Sequence, residues 1–436
     1  MTEIDDVRRP ITLICTVGGS PAPIRSALAA LRPDRTIFVV SDGKDGSTAA
    51  RGQVEAERLS GSEGSEAGPG LRFAEGCPSE VNLLEVPADD PDRAFARIET
   101  VIEAERRAGR RIVADYTGGT KSMSSALLIA GTAAEGARVQ FMQGVRSDLV
   151  QVEDGTEQPT VPPVHLMTLA RDFQAVRSFV ARRDYAAAFT LLDETQKDIG
   201  KRGGRKKLGI PRAWIERLGI WRDWGRLLDH WDRFEHVEAW AAVDRASGPL
   251  ADHLDKAGLT DRLRALAAAK GRPSAVLVED LWLNAERRAA QGRYDDAIAR
   301  CYRLMEAAIQ ARLWECHGLD TSRLRPEAVP ADIAEKAKRK NDWKTGEEYF
   351  ELALKNAKEL LAARSPSDPL IAAWGRDDTP GWVGKRNKSI LAHGFSALGP
   401  TTWDREVRPW FEARREALWE TSLGRPSLPQ LPDFLP

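Results

Sequence analysis

The chain has 436 residues, 42% of them hydrophobic and 30% charged, a length beyond one ordinary core and a balance that excludes a fibrous or largely disordered protein. A formal net charge of -1 supplies no global field for a nucleic acid, so such a partner would have to be met by a local basic patch. Cys15, Cys77, Cys301 and Cys316 form no CxxC pair, and the six histidines carry no HExxH pattern, so neither a disulfide framework nor a metal centre is expected.

The opening stretch MTEIDDVRR lacks the apolar core of a signal peptide, and no segment approaches a membrane-spanning length, which points to the cytoplasm and to no membrane partner. Five β-branched runs follow: ITLICTV (11-17), TIFVVSD (36-42), VNLLEVP (81-87), RIVADYT (111-117) and RVQFMQG (138-144). Strands alternating with helical stretches read as a parallel, doubly wound sheet. The Gly/Ser/Glu-rich segment from Gly43 to Gly76 reads as a loop. From about Pro163 the strand signals stop and the pattern becomes all-α, with all 13 tryptophans at or after Trp214. Trp214, Trp221, Trp224 and Trp231 share one helical face and are expected in the core. The basic run 197-212 (KDIGKRGGRKKLGIPR) reads as a solvated linker, with RNA guidance as the alternative.

In a doubly wound sheet the loops after parallel strands gather on one edge, where small ligands bind. Thr16, Gly18, Gly19 and Ser20, then Asp42, then Thr117, Gly118, Gly119, Thr120, Lys121 and Ser122 are expected to meet there. In DYTGGTKSMSSALLIAG, backbone N–H groups, hydroxyls and one ammonium converge on a helix start, a phosphate-binding arrangement. It is no Walker A loop, because Lys121 follows Thr120 and no glycine stands at the required distance upstream. The plain alternative is a tight diglycine turn with Lys121 as an ordinary helix-start residue.

DYTGGTKSMSSAL resembles the CARF domains of CRISPR-associated effectors over residues 1 to about 160. The resemblance implies a Rossmann-like sensor that binds a cyclic oligoadenylate, tetra- or hexaadenylate, across a two-fold axis, and hence a homodimer. It also implies possible cleavage of the activator, drawing on Thr120, Lys121 or Ser20.

In TPGWVGKRNKSILAHGF, Pro380, Gly381 and Gly384 argue against a helix before Lys385, whereas KRNKSILAH can form two turns ended by Gly394. Arg386 is then expected at a helix start, with His393 about 10.5 Å along the axis on nearly the same face. Arginine offers a planar fork to phosphate and histidine exchanges protons near neutral pH, a set sufficient for RNA, whose 2′-hydroxyl is its own nucleophile. The plain alternative is a surface arginine and a histidine that satisfies helix-end carbonyls. RNKSILAH resembles the HEPN ribonuclease motif, with six residues between arginine and histidine, the long end of the family's range. That resemblance implies a metal-independent endoribonuclease acting on single-stranded RNA through Arg386, Asn387 and His393, and leaving a 2′,3′-cyclic phosphate.

Residues 281-313 look like the first long helical pair of HEPN domains in CARF-linked effectors. They also resemble one tetratricopeptide unit, but no second copy follows at a period of about 34 residues. Arg300, Arg303 and Glu306 on this stretch are candidates to support the site.

The expected architecture is therefore α/β then all-α: a CARF sensor (1-160), a helical connector (161-275) and a HEPN domain (276-436). The expected function is cyclic oligoadenylate-activated RNA cleavage in CRISPR antiviral defence, with no cofactor. The rival is a nucleotide-sensing scaffold or regulator without nuclease activity, and a third reading is cleavage of DNA or a nucleotide.

Overall fold

The computed structural model describes residues 9-43, 49-57, 59, 68-134, 136-144, 158-160, 165-245, 249-375 and 379-435. They fall into two compact units, Met1–Thr168 and Leu169–Pro436. No helix among the described residues is long and apolar enough to cross a membrane.

The first unit is built on β1 (Ile11–Thr16), β2 (Arg35–Ser41), β3 (Glu80–Val86), β4 (Arg111–Asp115), β5 (Arg138–Gln143) and β6 (Gln158–Thr160). Their order in the sheet is β3-β2-β1-β4-β5-β6, parallel except for β6, which runs antiparallel to β5. All five expected strands are present within a residue or two of their predicted ends. Central strands buried on both faces need continuous apolar runs, and β1 and β2 show them, from Thr12 to Thr16 and from Thr36 to Ser41. Helices α1 (Ala22–Leu31) and α2 (Ala49–Glu55) lie in the chain before β3, while α3 (Pro91–Arg107) and α4 (Lys121–Ala133) come after it. Leu13, Cys15, Phe38 and Val40 pack with Ile24, Leu28 and Val54. The alternate residues Ile14, Ile37 and Val39 pack with Ile98, Ile102, Met123 and Leu127. Two cores on opposite faces of one sheet follow from the period-2 alternation of strand side chains. The loop expected from Gly43 to Gly76 falls partly outside the described residues; inside it, Ala49–Glu55 is helical.

The second unit is helical, as expected. Its elements are α5 (His165–Ala181, which begins at the unit boundary), α6 (Tyr185–Lys201), α7 (Gly204–Leu208), α8 (Arg212–Asp232), α9 (His236–Arg245), α10 (Pro249–Lys256) and α11 (Thr260–Ala269). Then come α12 (Ala275–Ala290), α13 (Tyr294–His317), α14 (Ala331–Ala334), α15 (Leu354–Arg364), α16 (Pro369–Trp374) and α17 (Gly381–Asn387). The basic run 197-212 is helical across α7, with Gly203 and Gly209 in left-handed conformations at its ends, so it is more structured than a linker. Trp221, Trp224 and Trp231 are buried and Trp214 stacks on Phe173, so the tryptophan stripe is core.

One element departs from an all-helical pattern. β7 (Lys338–Asn341) and β8 (Glu348–Glu351) form an antiparallel hairpin. Its KRKN strand has no apolar alternation to betray it, and cross-strand pairs supply the match instead: Arg339 with Glu348 at 2.7 Å, and Lys340 with Glu351.

Buried charges tie the helices before α12 to α12 itself. Asp280 accepts from Trp231 Nε1 at 2.9 Å and faces His236 Nε2 at 3.0 Å. Asp232 accepts from Arg287 Nε at 2.6 Å and from Asn284 Nδ2 at 3.0 Å. Burial opposes the ionisation of Asp280, yet the His236 hydrogen bond and the Arg287 and Arg262 charges outweigh it and hold the carboxyl below its usual range. Such a network specifies one arrangement of helices, because any slip would strand a buried charge.

Candidate functional site

In the first unit the loops after β1 and β4 meet where the strand order reverses, the usual ligand crevice of such sheets. Their contact is backbone on backbone. A Cβ on Gly118 would stand 2.4 Å from the Thr16 carbonyl oxygen, and one on Gly18 would stand 2.6 Å from Gly119 N. Gly119 adds a positive φ of 84°. The three glycines are therefore required by this packing, whereas Gly19 has open space around it.

Hydroxyls hold the loop in place. Thr117 N donates to Asp115 Oδ1 at 3.0 Å, the Thr117 hydroxyl donates to the same oxygen at 2.5 Å, and that hydroxyl accepts from Met142 N at 2.7 Å. Gln140 Nε2 donates to the other Asp115 oxygen at 3.0 Å. Burial pushes the Asp115 carboxyl up, against the opposing hydrogen bonds from Thr117 and Gln140. Thr120 caps α4 by accepting from Met123 N at 3.2 Å, while its own hydroxyl bonds the Ala88 carbonyl. The hydroxyls of Thr117 and Thr120 thus shape the loop, and Thr16 is fully buried. Ser20 and Lys121 are exposed, and Ser122 and Asp42 half-buried. Asp115 was absent from the sequence-derived set, although it stands two residues before the TGGTK turn.

In the second unit α17 runs from Gly381 to Asn387, so the helix precedes Lys388 and does not extend through His393. Pro380 is the non-helical cap, and the buried Trp382 and Val383 anchor the first turn, outweighing the low helix propensity of the exposed Gly381 and Gly384. Arg386 accordingly lies in the last turn, where a cation complements the helix dipole, and not at a helix start.

Beyond it the chain folds back. Ser389 N donates to Arg386 O at 2.9 Å, Ala392 N to Ser389 O at 3.0 Å, and Ser396 N to Lys388 O at 2.9 Å. His393 N donates to Asn387 O at 3.2 Å, which returns His393 to the end of α17 by a turn in place of a helical face. Gly394 is the crossing point, since a Cβ there would stand 2.2 Å from the Lys388 carbonyl oxygen. It therefore serves close backbone approach and not helix termination.

Arg386 is half-buried. Its guanidinium lies over the Tyr302 ring at 4.3 Å, and Nη1 donates to Asn387 Oδ1 at 3.3 Å. Its Nε is buried and, among the described residues, has no hydrogen-bond partner. One turn along α13 from Tyr302 stands Glu306, whose carboxyl burial pushes up against the charges of Arg303 and Arg386. Arg303 donates to Gln310 at 2.9 Å, and Arg300 bonds Asn284 and Asp296, so Arg300 serves the helix pair and not the motif. His393 is exposed beside Ile390, Leu391 and Phe395, which are 65%, 49% and 98% exposed. Tyr302 went unnoticed in the sequence because a tyrosine at helical spacing reads as core.

Residues 267–409, about a third of the chain, match the family model described as the Csm6 HEPN domain. The resemblance to HEPN domains read from RNKSILAH is borne out in this region. Among solved structures, Enterococcus italicus Csm6 bound to cyclic hexa-2′-fluoro-hexa-dAMP is 13% identical and aligns over 95% of both chains with a TM-score of 0.47. Can2 from Sulfobacillus thermosulfidooxidans in complex with cyclic tetra-adenylate is 11% identical, covering 51% of this chain and 66% of its own, with a TM-score of 0.22. No curated protein matches the chain.

Proposed function

We propose that the chain is a metal-independent endoribonuclease for single-stranded RNA, switched on by a cyclic oligoadenylate in CRISPR antiviral defence. The observation that carries the reading is the turn that brings His393 back to Arg386 and Asn387 inside a region matching a Csm6 HEPN domain. Arg386, half-buried with its guanidinium over the Tyr302 ring, is suited to clamp a phosphate. Asn387 braces it. The ribose 2′-oxygen attacks phosphorus, the 5′-oxygen leaves and takes up a proton, and a 2′,3′-cyclic phosphate remains; His393 serves as the proton carrier. Arg386 stabilises charge on the phosphorane.

The three apolar side chains exposed around His393 are unusual for a surface free of partners, and a second copy covering them would place two motifs in one groove. The activator's place is the crevice between the β1 and β4 loops, with Lys121, Ser122 and the glycine backbone facing phosphate. Activation is then a matter of the ring binding the active arrangement better than the resting one.

The test incubates the full chain with labelled RNA in EDTA, with and without cyclic tetra- and hexaadenylate, beside a matched strand lacking 2′-hydroxyls. The expected result is ring-dependent cutting of RNA alone, with cyclic-phosphate ends. RNA left intact with both rings would favour the scaffold reading, and cutting of the deoxy strand would exclude 2′-hydroxyl attack.

A further inference from the structure

Tyr302, Glu306 and Gln310 recur every four residues on α13, so they form a stripe with ~6 Å between successive positions. The stripe starts under Arg386 and ends in a cavity of about 360 Å³. Glu306 and Gln310 form one wall of that cavity, Leu352 and Ala357 an apolar floor, Asn356 a second polar wall, and Lys338 of β7 stands at its rim. The volume lies within the range of small-molecule sites, and the lining is mainly polar, with Lys336 and Glu351 beside the residues above.

The Glu306 carboxylate is the group without an assignment. Among the described residues it accepts no hydrogen bond, and its nearest ion-pair partner is Arg303, at 3.9 Å. With 30% of its side chain exposed, the carboxylate can exchange water for the donors of a ligand that enters the cavity. Asn356 has its amide nitrogen committed to the Lys336 carbonyl at 2.9 Å, which leaves its oxygen as a second acceptor. Gln310 already accepts from Arg303, so its amide nitrogen is the donor that remains.

We infer that this cavity is a nucleobase subsite next to the phosphate clamp, with Glu306 selecting guanine beside the cut; the inference rests on the ribonuclease reading above. Guanine presents N1–H and N2–H side by side and satisfies both carboxylate oxygens. Adenine and cytosine bring one amino group each, and uracil sets its single N–H between two carbonyl oxygens that a carboxylate repels. Lys338 at the rim faces the adjoining backbone phosphate.

The experiment measures cleavage rates of the activated full chain on four RNAs that differ only in the base flanking one cut, for the parent, Glu306→Gln and Asn356→Tyr. Rates are compared as ratios between substrates, so a uniform loss of activity does not alter the readout. The parent should favour guanine by about tenfold, the size of one two-pronged base contact. Glu306→Gln, which keeps the shape but loses one acceptor, should bring the ratio near one. Asn356→Tyr, which fills the cavity, should do the same.

Equal parent rates on all four RNAs, or an undiminished guanine ratio in both variants, would overturn the subsite. Calorimetry with guanosine and adenosine 5′-monophosphates on the parent and Glu306→Gln gives a second readout that needs no cleavage. Guanosine-selective binding lost in Glu306→Gln would keep the subsite even if RNA stayed intact and the ribonuclease reading failed. Binding indifferent to the base would remove it.

Discussion

The two candidate loops are built on opposite principles. After β4, the turn from Thr117 to Thr120 is locked by glycines that touch the β1 loop backbone and by a buried Asp115 that takes three hydrogen bonds. Site and core there are the same atoms. After α17, the turn from Lys388 to Ser396 closes on its own backbone and leaves His393 and three apolar side chains exposed, while the aromatic core beneath lies elsewhere. That core stacks Trp282 against Trp403, Phe411 and Trp419 at 5.3 to 6.2 Å. In the first unit a change at the site should therefore be felt as stability; in the second, chemistry and stability should separate.

The sharpest separation is expected at Arg386 and His393. Arg386→Ala and His393→Ala should each lower RNA cleavage on the order of a hundredfold to a thousandfold. Their unfolding free energies should stay within about 1 kcal/mol of the parent. Rate and denaturant midpoint measured on the same preparation check both halves, and a large stability loss would break the contrast.

The converse in the same unit is Asp280→Asn, remote from the motif. It should destabilise by about 3 kcal/mol, because His236, Arg262 and Arg287 lose their buried counter-charge. The sign with pH follows from the depressed carboxyl. Its stabilisation is fully present above the unfolded value of about 3.9 and is lost as pH falls through the lower folded value. The parent should thus lose stability below about pH 4, and the variant should show a shallower acid limb in urea titrations at stepped pH.

Gly118→Ala tests the first unit, where a Cβ would stand 2.4 Å from the Thr16 carbonyl oxygen. A loss of about 2 kcal/mol is expected together with weaker activator binding. Activator affinity lost with full stability would mean that site and core are separable there too. The smallest effect is expected for Phe395→Ser, which should leave the monomer unchanged and weaken self-association about tenfold in sedimentation at stepped concentrations. An unchanged equilibrium would remove Phe395 from any contact between copies.

Much of this molecule is legible from side-chain pattern. The β-branched runs at 11-17, 36-42 and 111-117 locate the strands because a strand buried on both faces is built mainly of apolar and β-branched residues. The tryptophan period from 214 to 231 locates a packed helix for the analogous reason. Pattern failed where tertiary contacts overruled local preference. Gly381 and Gly384 argue against the very helix that Trp382 and Val383 pull into the core. KRKN carries no alternation, yet pairs across to β8 through its charges.

The sequence by itself therefore determined the five parallel strands and the largely helical second half, the meeting of the glycine loops at the reversal of strand order, and the residues Arg386, Asn387 and His393 as a group. Only the tertiary structure decided how that group is arranged. Helical periodicity would have separated Arg386 and His393 along an axis, whereas the Gly394 crossing and the return of His393 N to Asn387 O fold the spacer into a turn. The same holds for Tyr302 and Glu306, eighty or more residues before Arg386, which α13 carries to the Arg386 guanidinium. The physical reason is that periodicity reports which face of an element is buried, while a site depends on contacts between elements, and those are set by packing.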